Sequence, residues 1–315
     1  MKKKKKFLIT IDTEGDNLWS WHEGMPIHTD CVEYLPRFQE LCNKFEFKPT
    51  WLTNYEVIMD DRYVEFIQKV ESSGTGELGM HLHAWSTPPD YKIPVEENGQ
   101  PYLIEFPEDI MEEKIKTMTE LIISRTGIKP VSHRAGRWAM DDRYFRILAK
   151  YDYKYDCSVT PHVNWSSALG WTKNFGGTDY SKYPKSAYVT DSGVCEVPVS
   201  IRKTVDIVLP EKKKIRSILG AIKRKFTAQP IWIRPNGCNI NEMKYLAKKI
   251  YEESDSNYLM FMLHSSEMMP GGSPTFKTKA SIEKLYCDLN GLFDYVSKMY
   301  QGATLIEYGK MNFQQ

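Results

Sequence analysis

Short apolar runs alternate with longer amphipathic ones along most of this chain, and that rhythm most narrows what it can fold into. FLITI (7–11), KPTWLTNYEV (48–57), ELGMHLHAW (77–85), KPVSHRAG (129–136), YKYDCSV (153–159), GVCEVPVSI (193–201), IWIRPNG (231–237) and YLMFMLHSS (258–266) read as strands or strands running into loops. Between them, 31–45, 61–74, 107–127, 141–153, 241–254 and 281–300 read as helices. Pro36 is expected to start or distort the first helix, and Gly74 and Gly127 to stop the second and third. Asp141 or Asp142 is expected to cap the fourth. ATLIEYGKM (303–311) reads as a final strand.

Strands alternating with helices imply parallel pairing through crossover connections, hence a barrel or a doubly wound sheet. Both place their sites at the carboxyl ends of the strands. The 315 residues suit one domain, 1–315, and a hydrophobic share of 41% suffices for its core. A net charge of +1 gives no general pull toward nucleic acid. The lysine-rich start leads into an apolar run too short for a signal peptide, which predicts a cytoplasmic protein. The six cysteines are scattered without a Cys-x-x-Cys pair, as expected of reduced thiols.

The strand-end rule can be tested within the sequence. FLITI is followed by Asp12-Thr13-Glu14, ELGM by His81-Leu82-His83, KPVS by His133-Arg134, and YLMFML by His264-Ser265-Ser266-Glu267. Residues i and i+2 of a strand point to one side, so Asp12 and Glu14 form a same-side carboxylate pair, and His81 and His83 a same-side imidazole pair. Two imidazoles and a carboxylate round one cation leave a position open for water, as in catalytic zinc or non-haem iron sites. Each signal alone is weak: His-x-His is common, Asp12 and Glu14 could cap a following element, His264 could be a core histidine, and Arg134 a surface residue. Four such strand ends in one alternating fold are a stronger signal.

In LITIDTEGD, ELGMHLHAW, HRAGRW and FMLHSSEM, taken in order, the chain resembles the polysaccharide deacetylases of the NodB-homology, or carbohydrate esterase family 4, group. It is most similar to a divergent branch linked to bacterial surface-polysaccharide biosynthesis. The resemblance spans residue 8 to about 270 and implies an α/β fold, a distorted (β/α) barrel. It implies Asp12 as catalytic base, with Glu14 as metal ligand because Thr13 replaces the usual neighbouring aspartate. His81 matches the first histidine of the second motif. Trp85 stands where the second is usual, so His83 takes over as ligand. Arg134 matches the arginine that orients the base, although GRW replaces the usual proline-aromatic pair. His264 matches the acid that protonates the departing amine, with Leu263 as an apolar wall. Trp85 and Trp138, near the site segments, could stack on the sugar ring of a substrate or pack in the core. One divalent ion is implied, zinc first, with cobalt, nickel, iron or manganese as alternatives.

The implied reaction removes an N-acetyl or N-formyl group from an amino sugar in a surface-glycan precursor, lipid-linked or nucleotide-linked. Between 202 and 226, nine basic residues face two acidic ones, and Ile215, Ile218, Leu219, Ile222 and Phe226 share a helical face. This basic helical insertion could rest on anionic lipid at the inner membrane, grip substrate phosphates, or simply pack on the barrel. Two other readings stay open: a C–N hydrolase acting on a small cyclic amide or ureide, and a carbohydrate-binding or regulatory homologue without catalysis.

Overall fold

The computed structural model describes residues 4–22, 24–93, 100–203 and 229–313. The chain begins with β1 (Lys5–Thr13), α1 (Leu35–Lys44), β2 (Pro49–Thr53), the short α2 (Tyr55–Ile58), α3 (Asp61–Ser72) and β3 (Glu77–Leu82). It continues through α4 (Glu108–Thr126), β4 (Ser132–Ala135), α5 (Asp142–Lys150), β5 (Tyr155–Asp156), β6 (Tyr188–Val189) and β7 (Cys195–Glu196). β8 (Ile201–Lys203), β9 (Pro230–Trp232), α6 (Ile240–Glu252), β10 (Tyr258–His264), α7 (Lys279–Ser297), β11 (Tyr300–Gly302) and α8 (Leu305–Phe313) complete it.

The main sheet runs β10-β1-β2-β3-β4-β5-β7-β6, with β11 on the start of β1. Every pairing is parallel except β6 on β7, and the sheet curls into a half-barrel. The antiparallel pair β8–β9 stands in the remaining gap. There the Met260 N–H donates to the Ser200 hydroxyl and the Met262 N–H to the Ile233 carbonyl, so the curl closes through single bonds rather than a ladder.

Strand parity sorts every side chain to one of two faces. Phe7, Ile9 and Ile11, Trp51, Leu78, Met80 and Leu82, and Leu259, Phe261 and Leu263 join the large core beneath the helices. Leu8, Leu52, Tyr155, Cys157, Cys195, Tyr258 and Met260 face inward and fill the barrel. Asp12, His81, Arg134 and His264 occupy inward positions at the carboxyl ends of four strands, which is how residues far apart in sequence meet. Gly79 lies on that inward face too, where a Cβ would stand 2.7 Å from the Leu52 side chain.

The helix ends follow their local chemistry. Pro36 sits in the first turn of α1, Asp60 caps α3 and Asp141 caps α5, and Gly127 ends α4 in the left-handed conformation at φ 76°. The stretch 303–311 differs from expectation: it is helical, as α8. The Thr304 hydroxyl accepts from the Glu307 N–H while the Glu307 carboxylate accepts from the Thr304 N–H, a reciprocal cap that outweighs the apolar, strand-like look of the segment. Ala303, Leu305 and Tyr308 then plug the bottom of the barrel. Of the basic insertion, only Arg202 and Lys203 fall among the described residues. Arg202 is no solvated charge: it is buried and donates to Glu253 at 2.5 Å. The rest of 202–226 lies outside them. Among the described residues no helix is long and apolar enough to cross a membrane. Cys31, Cys42, Cys157 and Cys195 are buried free thiols.

Candidate active site at the strand ends

Glu14 follows directly on β1, and its backbone is fixed from both sides. Its N–H donates to the Ser265 hydroxyl at 3.0 Å, and that hydroxyl donates back to the Glu14 carbonyl at 2.9 Å. The carboxylate reaches His81 Nε2 at 3.5 Å and His83 Nε2 at 3.2 Å, and the three donor atoms lie within 4.8 Å of one another. Ligands about 2.0–2.1 Å from a zinc ion stand roughly 3.4 Å apart in a tetrahedron, so the donor set and its spacing fit a divalent ion. His81 Nδ1 lies 2.8 Å from the Arg134 carbonyl, which can only accept. The proton is thereby assigned to Nδ1, and the Nε2 lone pair is turned toward Glu14.

His83 stands one residue beyond β3, with its ring stacked on Trp85 at 4.3 Å. Its Nδ1 is buried with no hydrogen-bond partner among the described residues, nor does the buried Glu56 carboxylate find one. Gly136 permits this arrangement, because a Cβ there would collide with the Leu82 carbonyl and the His83 ring. Proline at that position, usual in the resembled motif, would meet the same wall.

Asp12 receives the Arg134 guanidinium at 2.5 Å, with both groups buried. Arg134 also donates to the Thr10 hydroxyl at 2.7 Å and the Cys157 carbonyl at 3.1 Å, and lies over the Trp138 ring. Burial pushes the Asp12 carboxyl up, but Arg134, then His81 and His264, outweigh it and hold it below the ordinary aspartate value. Burial likewise opposes ionisation of Glu14, yet His264, His81 and His83 hold it well below the usual range. His81 is raised: burial lowers it, and the Asp12 and Glu14 carboxylates more than reverse that. The pocket therefore favours positive charge at its centre.

His264 ends β10 with Nε2 3.7 Å from Asp12 Oδ2 and 3.8 Å from Glu14 Oε1. Its Nδ1 faces the Glu267 carboxylate at 2.9 Å and Arg234 at 3.1 Å. Arg234 and Glu267 are functional neighbours that strand-end reasoning left unassigned. Glu267 follows three residues after His264, the spacing of a reciprocal cap, and it also accepts from the His264 N–H. Nothing in the sequence marks Arg234 as its partner. Burial raises Glu267, but its bond with His264 and the charge of Arg234 bring it below the usual glutamate value.

The pocket between these groups, about 170 Å³, is lined by Asp12, Glu14, His81, His83, His264, Trp85 and Trp138. Arg134 reaches it through Asp12. Leu263 does not line it. One residue before His264 on a strand, it points to the opposite face and is fully buried under the helices. His133, also adjacent to a site residue, faces outward for the same reason.

No family model matches the chain, and no curated protein sequence matches it. Solved structures do. A protein of Mycobacterium smegmatis assigned to the polysaccharide deacetylases superposes at a TM-score of 0.50 and 15% identity, covering 96% of this chain and 89% of that one. The 4-alpha-glucanotransferase of Thermococcus litoralis superposes at 0.52 and 12% identity, covering 98% of this chain and 38% of that one. What these likenesses establish is the fold: this chain is built as a distorted (β/α) barrel of the NodB-homology type.

Proposed function

We propose that this protein is a metal-dependent hydrolase that removes an N-acetyl or N-formyl group from an amino sugar. One observation carries the reading: Asp12, Glu14, His81, His83 and His264, from three strand ends, surround a single pocket, with Arg134 of a fourth behind Asp12. The fold alone does not decide it, since the same barrel serves a glucanotransferase. The sequence resemblance to carbohydrate esterase family 4 and the structural likeness to a protein assigned as a polysaccharide deacetylase both point the same way.

Glu14, His81 and His83 would hold the ion, zinc by the chemistry of the donors. When bound, a divalent ion polarises an acyl carbonyl and lowers the pKa of water. Asp12, kept ionised by Arg134, takes the proton of the attacking water. His264, with Nδ1 held by Glu267, presents Nε2 to the same space and gives a proton to the departing amine. Trp85 and Trp138 offer faces for the sugar ring. The product is a free amino sugar and a carboxylic acid. The substrate we assign is a surface-glycan precursor, lipid-linked or nucleotide-linked, handled in the cytoplasm or at the inner membrane surface.

Elemental analysis of the purified protein, with acetate or formate release from N-acylated amino sugars, tests the reading. One divalent ion per chain, lost in both His81→Ala and His83→Ala, and release that depends on it are expected. A chain that binds no divalent ion would sink the proposal.

A further inference from the structure

A second cavity, about 820 Å³, opens beside the catalytic pocket and shares Trp19, Trp85, Gln100 and Arg137 with it. Trp21 and Trp171 add further aromatic faces. Among the described residues its charged lining is three basic residues, Lys92, Lys114 and Arg137, against one acid, Asp90. The Lys114 ammonium is already engaged, donating to the Thr87 and Pro89 carbonyls at 2.5 and 2.6 Å.

Arg137 stands at the junction of the two spaces, and the backbone is bent to put it there. Arg137 and Trp138 both adopt the left-handed region, at φ 54° and 64°, where non-glycine residues are rarely found. The guanidinium carbon lies over the Tyr102 ring, 4.0 Å from its centroid, and the group donates to the Gln100 carbonyl and, at 2.9 Å, to the Leu169 carbonyl. Those two bonds leave three of its five N–H donors without a partner among the described residues. No carboxylate among them lies within ion-pair distance of it. Glu105, the neighbouring acid, instead accepts from the N–H groups of Tyr102, Trp171 and Thr172. A planar, oriented cation with free donors, walled by aromatic rings, is a receptor for a carboxylate or phosphate carried next to a ring.

We propose that this cavity binds an anionic unit of the substrate, a carboxylate or phosphate on the group joined to the acylated amino sugar, with Arg137 as its receptor. This rests on the hydrolase reading for the pocket next door and adds to it the place and the residue that hold the substrate's charge.

The test is calorimetric titration of the chain with three acetamido-sugar probes: neutral N,N′-diacetylchitobiose, a disaccharide of glucuronic acid and N-acetylglucosamine, and UDP-N-acetylglucosamine. At least one anionic probe should bind about tenfold or more tighter than the neutral one. The uronate and diphosphate arms separate the two sources of charge. Arg137→Gln should bring the anionic affinity to within about twofold of the neutral, and Arg137→Lys should keep part of the preference. Should Arg137→Gln fail to fold, salt decides with the unmodified protein: going from about 50 to 500 mM should weaken only the anionic probes. Equal affinity for all three probes, binding of none, or a preference that survives Arg137→Gln overturns the inference. Acyl release from the probes without charge preference overturns it and leaves the hydrolase reading standing. Charge preference without release from any N-acylated sugar does the reverse.

Discussion

The two faces of β4 make an instructive pair. Arg134 and His133 are neighbours, both fully buried, and each is bound to an aspartate at 2.5 or 2.6 Å. His133 faces outward, where its Nδ1 meets Asp156 and its Nε2 meets the Tyr144 hydroxyl at 2.9 Å. Asp156 accepts from the Ser158 N–H and hydroxyl, each at 2.9 Å. Glu196 beside it is pushed well above the usual glutamate value, first by burial and then by Asp156. Arg134 faces inward, and its aspartate keeps one oxygen turned to a pocket that Glu14 and three imidazoles also enter. Buried ionisable residues are thus no mark of function by themselves. His133 and Asp156 consume their bonds within the protein, and the inner set directs its atoms at a shared, solvent-reaching space.

Activity should divide the faces most sharply. Asp12→Asn or His264→Ala should lower acyl release by about 10²–10⁴-fold while the ion stays bound. Asp156→Ala should leave ion stoichiometry intact and cost about 3–5 kcal/mol of stability, because it strands a buried imidazole. Calorimetric melting beside elemental analysis reads both, and an ion lost from Asp156→Ala would break the distinction.

Glu77 extends the comparison down the inward face of β3. Buried, it accepts from the Ile306 N–H at 3.0 Å and the Thr50 hydroxyl at 3.2 Å. Burial pushes it up to about 7, from an ordinary 4.5. A carboxyl raised in the folded state stabilises fully below about pH 4.5 and loses that contribution as pH rises to about 7, roughly 3 kcal/mol in all. Denaturant unfolding across that range should show the decline, flattened in Glu77→Gln. A smaller effect, about 1 kcal/mol, is expected from Thr304→Ala, which removes the cap of α8 but should not alter ion binding.

The architecture and most of the pocket were legible because both rest on period two. Same-side pairing placed Asp12 with Glu14 and His81 with His83, and parallel crossovers gathered the strand ends. The same parity, carried one step further, excludes Leu263. Thr304 and Glu307 had the spacing of a cap, but it was hidden by the neighbouring apolar and β-branched residues. Arg202 looked like part of a charge run, and its partner Glu253 lies 51 positions away. Arg234 was illegible for the same reason: a contact between distant segments leaves no local pattern.

β1 is the hub of the sheet, flanked by β10 and β2 and touched by β11 at its start. Two of the residues that define the pocket, Asp12 and Glu14, thus sit on or directly after the segment with most to lose on opening. Amide exchange around Asp12 should be among the slowest in the molecule, governed by global rather than local opening. A chain damaged enough to loosen there would have no half-working form to fall back on: catalytic competence and tertiary structure would disappear in one step.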